Sequence, residues 1–159
     1  MIKIVRANLT TQKHADALIQ LMDVYAFDPA GGGTGLNQFA KDNLSHTLAN
    51  RPGVFVLLAY VIENPIGLLT CMEGFSTFHC KPLLNIHDAV VKPDYRGQGV
   101  ATLLLQEAEN IARETNCCKL TLEVLEGNIA ARTVYSRFGF KEYQLDPKMG
   151  NALFWEKCL

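Results

Sequence analysis

The sequence predicts an α/β (α+β) fold, a mixed sheet of six to seven strands with helices on both faces. Three observations predict it. A strand and two helices open the chain, a run of hairpin-linked strands fills the middle, and strands alternate with helices afterwards. The helical segments carry apolar residues at three- and four-residue spacing, whereas the strand segments are β-branched and aromatic. Proline and glycine clusters separate the two kinds of segment.

Ile2 to Ala7 reads as the first strand. Thr10 or Thr11 can cap a helix running to about Phe27, with Leu18, Leu21, Met22 and Tyr25 on one stripe. The stretch "DPAGGGTGL" then breaks it. Asn37 to Asn50 reads as a second helix, ended by Arg51-Pro52-Gly53. "VFVLLAYVI" is nearly all apolar and suits a central strand. Glu63-Asn64-Pro65 turns it into "IGLLTCMEGF" as a hairpin. "LLNIHDAVV" is a further strand, stopped at Lys92-Pro93. A glycine segment leads into a helix reaching about Thr115, with Val100, Leu104, Ala108 and Ile111 on one face. "CKLTLEVL" is a strand, Asn128 to Phe138 a short helix ended by Gly139, and "FKEYQL" and "ALFWEKC" read as two closing strands.

At 159 residues one domain covering residues 1–159 is the expectation. The formal net charge of −1 offers no basic field for nucleic acid or an anionic membrane surface. The N-terminus lacks the apolar core of a signal peptide, and Val54 to Ile62 is too short to span a bilayer. The five cysteines are odd in number and show no C-x-x-C spacing, which argues against a disulfide framework or a zinc site. Reduced thiols in a cytoplasm are expected, with no metal.

"PDYRGQGVATLL" places Gly97 and Gly99 between a strand end and a helix start. Backbone N–H groups at a helix start have no intrahelical partner and share the positive end of the helix dipole. They make a site for an anion such as phosphate, and Arg96 adds a charge. A simple tight turn is the alternative. A P-loop fails on spacing and lysine, and a dinucleotide fingerprint fails at Thr102, although Glu123 stands at a suitable distance downstream.

Arg96-Gly97-Gln98-Gly99-Val100-Ala101 resembles the Q/R-x-x-G-x-G/A acyl-CoA signature of the GNAT superfamily of N-acetyltransferases. "NIAARTVYSRFGF" follows at the family's usual distance, with Asn128, Ala131, Tyr135, Gly139 and Phe140 matching N-x-x-A-x-x-x-Y-x-x-x-G-F. The stretch "IHDAVVKPDYRGQGVA" is similar to the polyamine and thialysine branch, which has an acidic pair where His87 and Asp88 stand.

The resemblance implies a mostly antiparallel sheet with splayed central strands and acetyl-CoA as co-substrate. It places the CoA pyrophosphate on the amides of Arg96, Gly97, Gln98, Gly99, Val100 and Ala101, with Thr102 as neighbour. The pantetheine arm is implied to pair along Ala89, Val90 and Val91, beside a strand at Leu120 to Leu125 that splays away. Asn128, Ala131 and Tyr135 share one helical stripe. The resemblance makes Tyr135 the general acid, and local packing is the alternative. For the base, the polyamine-type position falls on His87, where this sequence departs from glutamate; Asp88, Glu123 and Glu73 are further candidates, and a water that carries the proton with no single base is the alternative. The acceptor is expected to be a small-molecule or peptide amine. Tyr25, Asp28, Phe75, Phe78 and His79 are candidates for its pocket, with "DPAGGGTGL" as a mobile or turn-rich border. A homodimer is expected because family members often dimerise. A non-catalytic acyl-CoA-binding module and a dinucleotide-binding protein are the competing readings.

Overall fold

The computed structural model describes all 159 residues. The chain divides into two compact units, Met1–Leu122 and Glu123–Leu159.

The first unit is built on one five-stranded sheet. Its elements in chain order are β1 (Ile2–Arg6), α1 (Gln12–Phe27), α2 (Gln38–Ala49), β2 (Val54–Val61), β3 (Asn64–Ser76), β4 (Lys81–Val91), α3 (Val100–Glu114) and β5 (Leu120–Leu122). Spatial order equals chain order, β1 to β5. The first three pairings are antiparallel, and β4–β5 is parallel with α3 as the crossover.

Helices cover both faces, as the alternation of elements predicts. On one face Ala17, Leu18 and Leu21 of α1 and Leu48 of α2 pack with Val56, Leu58, Tyr60, Leu68 and Val90. Each fully buried leucine here contributes about 1.5–3 kcal/mol. The other face takes α3, whose Val100, Leu104, Leu105, Ala108 and Ile111 are buried. It sits so close to β3 that a Cβ built on Gly67 would meet Val100 Cγ1 at 3.0 Å and the Val90 carbonyl oxygen at 3.2 Å. Arg6 of β1 ties the same helix down, its Nε 2.6 Å from Glu107 Oε1 and its Nη1 2.6 Å from Glu114 Oε2.

The caps agree with the sequence in part. Thr11 holds the N-cap position of α1 but its side chain closes no cap, its Oγ1 donating instead to Asn8 O at 2.8 Å, whereas Asn37 Oδ1 accepts from Ala40 N at 2.8 Å to start α2. The "DPAGGGTGL" connection is turn-rich and pinned at both ends. Asp28 Oδ1 accepts from Ala30 N at 2.9 Å, Thr34 N donates to Ala26 O at 3.1 Å, and Asp23 Oδ1 accepts from Leu36 N at 2.9 Å.

The second unit holds α4 (Ile129–Phe138) and a short 3₁₀ turn at Pro147–Met149. Here the expectation of six to seven strands is corrected to five. Phe140–Leu145 and Ala152–Cys158 form no strands. They approach each other through Ala152 N to Tyr143 O at 2.9 Å and through two side-chain bonds, Gln144 to Asn151 and Asn151 to Glu142. A strand needs a continued ladder and a covered apolar face. Leu145, Leu153, Phe154 and Trp155 remain exposed. The predicted "CKLTLEVL" strand also shortens to the three residues of β5.

Candidate active site at the end of β4

Residues Leu84–Ile86 of β4 pair with β5, and the ladder stops at Ile86–Leu122. From Asp88 to Val91, β4 has a ladder neighbour on its β3 side alone. This is the splay that the sequence resemblance implies. Lys92 N bonds Ile66 O, and by that register Val90 turns both its peptide groups toward β3 while Ala89 and Val91 turn theirs away. The outward groups of Ala89 and the Val91 N–H are donors and acceptors of the kind an extended ligand pairs with, and the Val91 C=O is taken by Arg96 Nε at 3.0 Å.

The ladder with β3 also breaks here. Thr70 pairs with Asp88 and Cys71 with Ile86, so His87 is an extra residue bulged out of register. Simple alternation along β4 puts Ile86, Asp88 and Val90 on one face. The bulge changes that: Asp88 stands opposite Thr70, and Asn85 opposite Met72, on the face that packs against α1. Sequence alone puts His87 first among the candidate bases; the structure leaves His87 exposed and Asp88 partly buried in the pairing with Thr70.

Burial raises the Asp88 pKa above the ordinary carboxylate value, and the neighbouring His87 and the Thr70 hydroxyl oppose that rise only in part. Burial, and then the charges of Asp88 and Asp28, raise the pKa of the Tyr25 phenol on α1. The buried Cys71 thiol is pushed up to about 12, first by burial and then by Asp88. Tyr25, Thr70 and Cys71 therefore share an electrostatic neighbourhood with Asp88. Thr70 and Cys71 were missed from the sequence, because only the register brings them there.

The glycine segment lies directly beyond β4. Its backbone explains its composition, since Gly97 has φ +74° and Gly99 φ +81°, and Gly99 caps α3 with no side chain closing the cap. A Cβ at either glycine would meet nothing within 4 Å. So the glycines answer a backbone requirement and leave open space over the first amides of α3. Those amides, with the turn Gly97–Gly99 before them and Ala101 and Thr102 in the first turn, are of the kind that can hold a diphosphate. Arg96 Nε donates to Val91 O at 3.0 Å, and its Nη2 donates to Asp28 Oδ2 at 2.8 Å. Hydrogen bonds from Ala30 N–H and from Arg96 hold the Asp28 carboxylate pKa low. Gln98 Nε2 donates to Asp94 O at 2.9 Å within its own turn.

Of the pocket candidates, Tyr25 and Asp28 join this neighbourhood. Phe75 stands five residues farther along β3 than Thr70, about 17 Å at strand spacing. Phe78 and His79 lie in the turn beyond it, where the His79 ring contacts Ser76 Oγ at 3.0 Å.

In the second unit, Asn128 Oδ1 accepts from Ala131 N at 3.1 Å and caps α4. Gly139 ends the helix at φ +108°, with Phe140 N bonded to Tyr135 O and Gly139 N bonded to Ser136 O. That pair of bonds is a Schellman closure. Glu123 is exposed in this unit, and Glu73 is exposed on β3.

Residues 17–140 match the family model described as the acetyltransferase (GNAT) family. The chain belongs to the GNAT acetyltransferase family. Streptothricin acetyltransferase A of Bacillus subtilis is 30% identical over 103 residues, 65% of this chain and 57% of that protein. The match therefore spans less than two thirds of that relative's length. Thialysine N-epsilon-acetyltransferase of Bos taurus is 33% identical over 59 residues, 37% of this chain and 35% of that one. A solved structure described as "Crystal structure of a probable acetyltransferase" superposes with a TM-score of 0.80 at 26% identity, covering 99% of both chains. GNAT relatives of different branches thus match, and the thialysine branch is not singled out. The mixed sheet with helices on both faces is the GNAT fold.

Proposed function

We propose that this chain transfers an acetyl group from acetyl-CoA to a primary amine by direct attack of the amine on the thioester. The observation that carries the reading is the placement of a partly buried carboxyl, Asp88, at the splayed end of β4, next to a glycine-opened helix start. The acyl donor supplies a thioester already activated toward an amine.

The chain's own groups then have four tasks. The amides of Gly97 to Ala101 hold the diphosphate, with Thr102 adjacent. The outward peptide groups of Ala89 and the outward N–H of Val91, on either side of Val90, align the amide arm, and an N–H there holds the thioester oxygen as negative charge builds on it. Asp88 takes the proton of the incoming amine, because a carboxyl whose pKa is raised is a stronger base than an ordinary one. His87, exposed beside it, borders the acceptor. An alkyl ammonium with a pKa of about 10.4 is charged at neutral pH, and making it neutral costs roughly 4–5 kcal/mol, which is the work asked of this base. Tyr135 serves as the acid that protonates the departing thiolate, following the family motif. Ala131 supports the same helical stripe, and Asn128 starts it.

The acceptor proposed is a small-molecule or peptide amine, including the polyamine and thialysine type. A reducing, cytoplasmic setting accords with five free cysteines, and pairing with a second copy accords with the habit of the family.

Thiol release from acetyl-CoA in the presence of an amine panel tests the reading. Amine-dependent release of free thiol, with mass gain on the amine, supports it. Calorimetric binding of CoA with no turnover on any amine would instead identify an acyl-CoA-binding module. No binding of CoA at millimolar concentration would remove the reading altogether.

A further inference from the structure

We propose that Asp28 is a positioning residue for the phosphate-binding segment and acts through Arg96. The inference rests on the acetyl-CoA reading and adds a residue to it.

Arg96 is the residue before Gly97, and its guanidinium is turned back into the protein. Nε reaches Val91 O at 3.0 Å, the last residue of β4, and Nη2 reaches Asp28 Oδ2 at 2.8 Å, the residue that ends α1. A planar fork with fixed donors suits such a two-acceptor bridge, and a lysine cannot reproduce it. The far end of the bridge is rigid. Asp28 uses its other oxygen, Oδ1, on Ala30 N at 2.9 Å; its N–H bonds Tyr25 O at 3.0 Å, and its carbonyl accepts from Gly31 N at 2.8 Å. The carboxylate orientation is therefore set before Arg96 meets it.

Gly97 and Gly99 have no packing neighbour that a Cβ would touch, and Gln98 bonds within its own turn. Arg96 is what ties this segment to β4 and to α1. The side chains are 52% and 24% exposed for Arg96 and Asp28, and an ion pair of that exposure adds little to folding. Its consequence falls on geometry. Amides that must converge on one diphosphate lose affinity when they are misaimed, because each hydrogen bond weakens steeply away from its preferred angle. The same bridge joins the cofactor side, at Val91, to the helix that carries Tyr25 beside Asp88.

The test compares wild type, Asp28→Asn, Arg96→Lys and the double variant by calorimetric titration with CoA, by melting and by steady-state kinetics. Asparagine keeps the cap to Ala30 N and removes the charge facing Arg96, so the fold is retained. The expected result is CoA binding weakened about tenfold or more in each single variant, with KM for acetyl-CoA raised in step and kcat at saturation within about twofold. The melting temperature should stay within about 3 °C of wild type. Because both changes break one bridge, the double variant should bind no more weakly than the worse single one. Asp28→Asn binding as wild type overturns the proposal, and so do losses that multiply in the double variant. If Asp28→Asn does not fold, Arg96→Lys decides, since it keeps the positive charge and loses only the fork. Absence of CoA binding by the wild type would instead mark failure of the parent reading, and the inference would fall with it.

Discussion

The Phe140 ring closes edge-on over Tyr135, with centroids 5.9 Å apart and planes inclined at 66°. The contact completes the helix stop made by Gly139, in which Phe140 N donates to Tyr135 O at 3.0 Å. Much of the N-x-x-A-x-x-x-Y-x-x-x-G-F pattern is thus capping chemistry, with Asn128 at the start, Gly139 at the end and an aromatic pair holding the end shut. The tyrosine hydroxyl is the part that capping does not explain.

Tyr135→Phe separates the two. The ring contact with Phe140 survives, so CoA affinity should stay close to wild type. Turnover should fall about tenfold or more if the hydroxyl is the acid. Unchanged turnover, with chemistry shown to be rate-limiting, would refute that role.

Asp88→Asn should raise stability and lower activity together. The folded-state pKa of Asp88 lies above its ordinary 3.8 because burial disfavours the charge. Ionising it in the folded protein therefore costs more than in the unfolded chain. The favourable balance is complete below the ordinary value and is lost as pH rises through the raised one. The variant should melt higher than wild type at neutral pH, with the difference vanishing at pH below about 4. Turnover should drop by about 10²-fold or more and lose its acidic limb. His87→Ala should keep that limb; its loss in the histidine variant would reassign the base.

Gly99→Ala tests the opened helix start. At φ +81° an L side chain is strained by about 1–2 kcal/mol. No protein atom lies within 4 Å of the added carbon, so crowding adds nothing to that cost. On the proposed site, CoA affinity should fall further than this strain accounts for, by about tenfold or more, because the new methyl would stand where the phosphates are proposed to approach. Equal loss of stability and no loss of affinity would show the glycine to be a turn residue only.

Gly67→Ala tests the seat of α3. The added carbon meets Val100 Cγ1 at 3.0 Å, Val90 O at 3.2 Å and Leu104 Cδ1 at 3.3 Å. Overpacking of this kind costs about 1–3 kcal/mol. Denaturant unfolding should show the loss with an unchanged slope.

What could be read beforehand follows the range of the interaction. The buried stripe Val100, Leu104, Ala108 and Ile111 was visible because helix period is local, and so were Leu18 and Leu21. Asn37 and Asn128 announced helix starts for the same reason. The bulge at His87 was not visible. Which residue the ladder skips depends on β3, and one skipped residue moved Asp88 from the company of Ile86 to that of Asn85. The closing segments misled for the opposite reason. "FKEYQL" and "ALFWEKC" have strand-like composition, but composition supplies no ladder, and Phe154 and Trp155 stay uncovered. The Arg96 bridge to Asp28 spans 68 positions of sequence, and nothing short-range announces it.

The skipped histidine has a consequence for how such a protein can diversify. Residue 87 has no cross-strand partner in β3, so exchanging its side chain leaves the register of β3 with β4 in place. Asp88, one position on, is locked into that pairing. A lineage can therefore rewrite the first of these two adjacent residues while holding the second constant, and the architecture need not answer for the change.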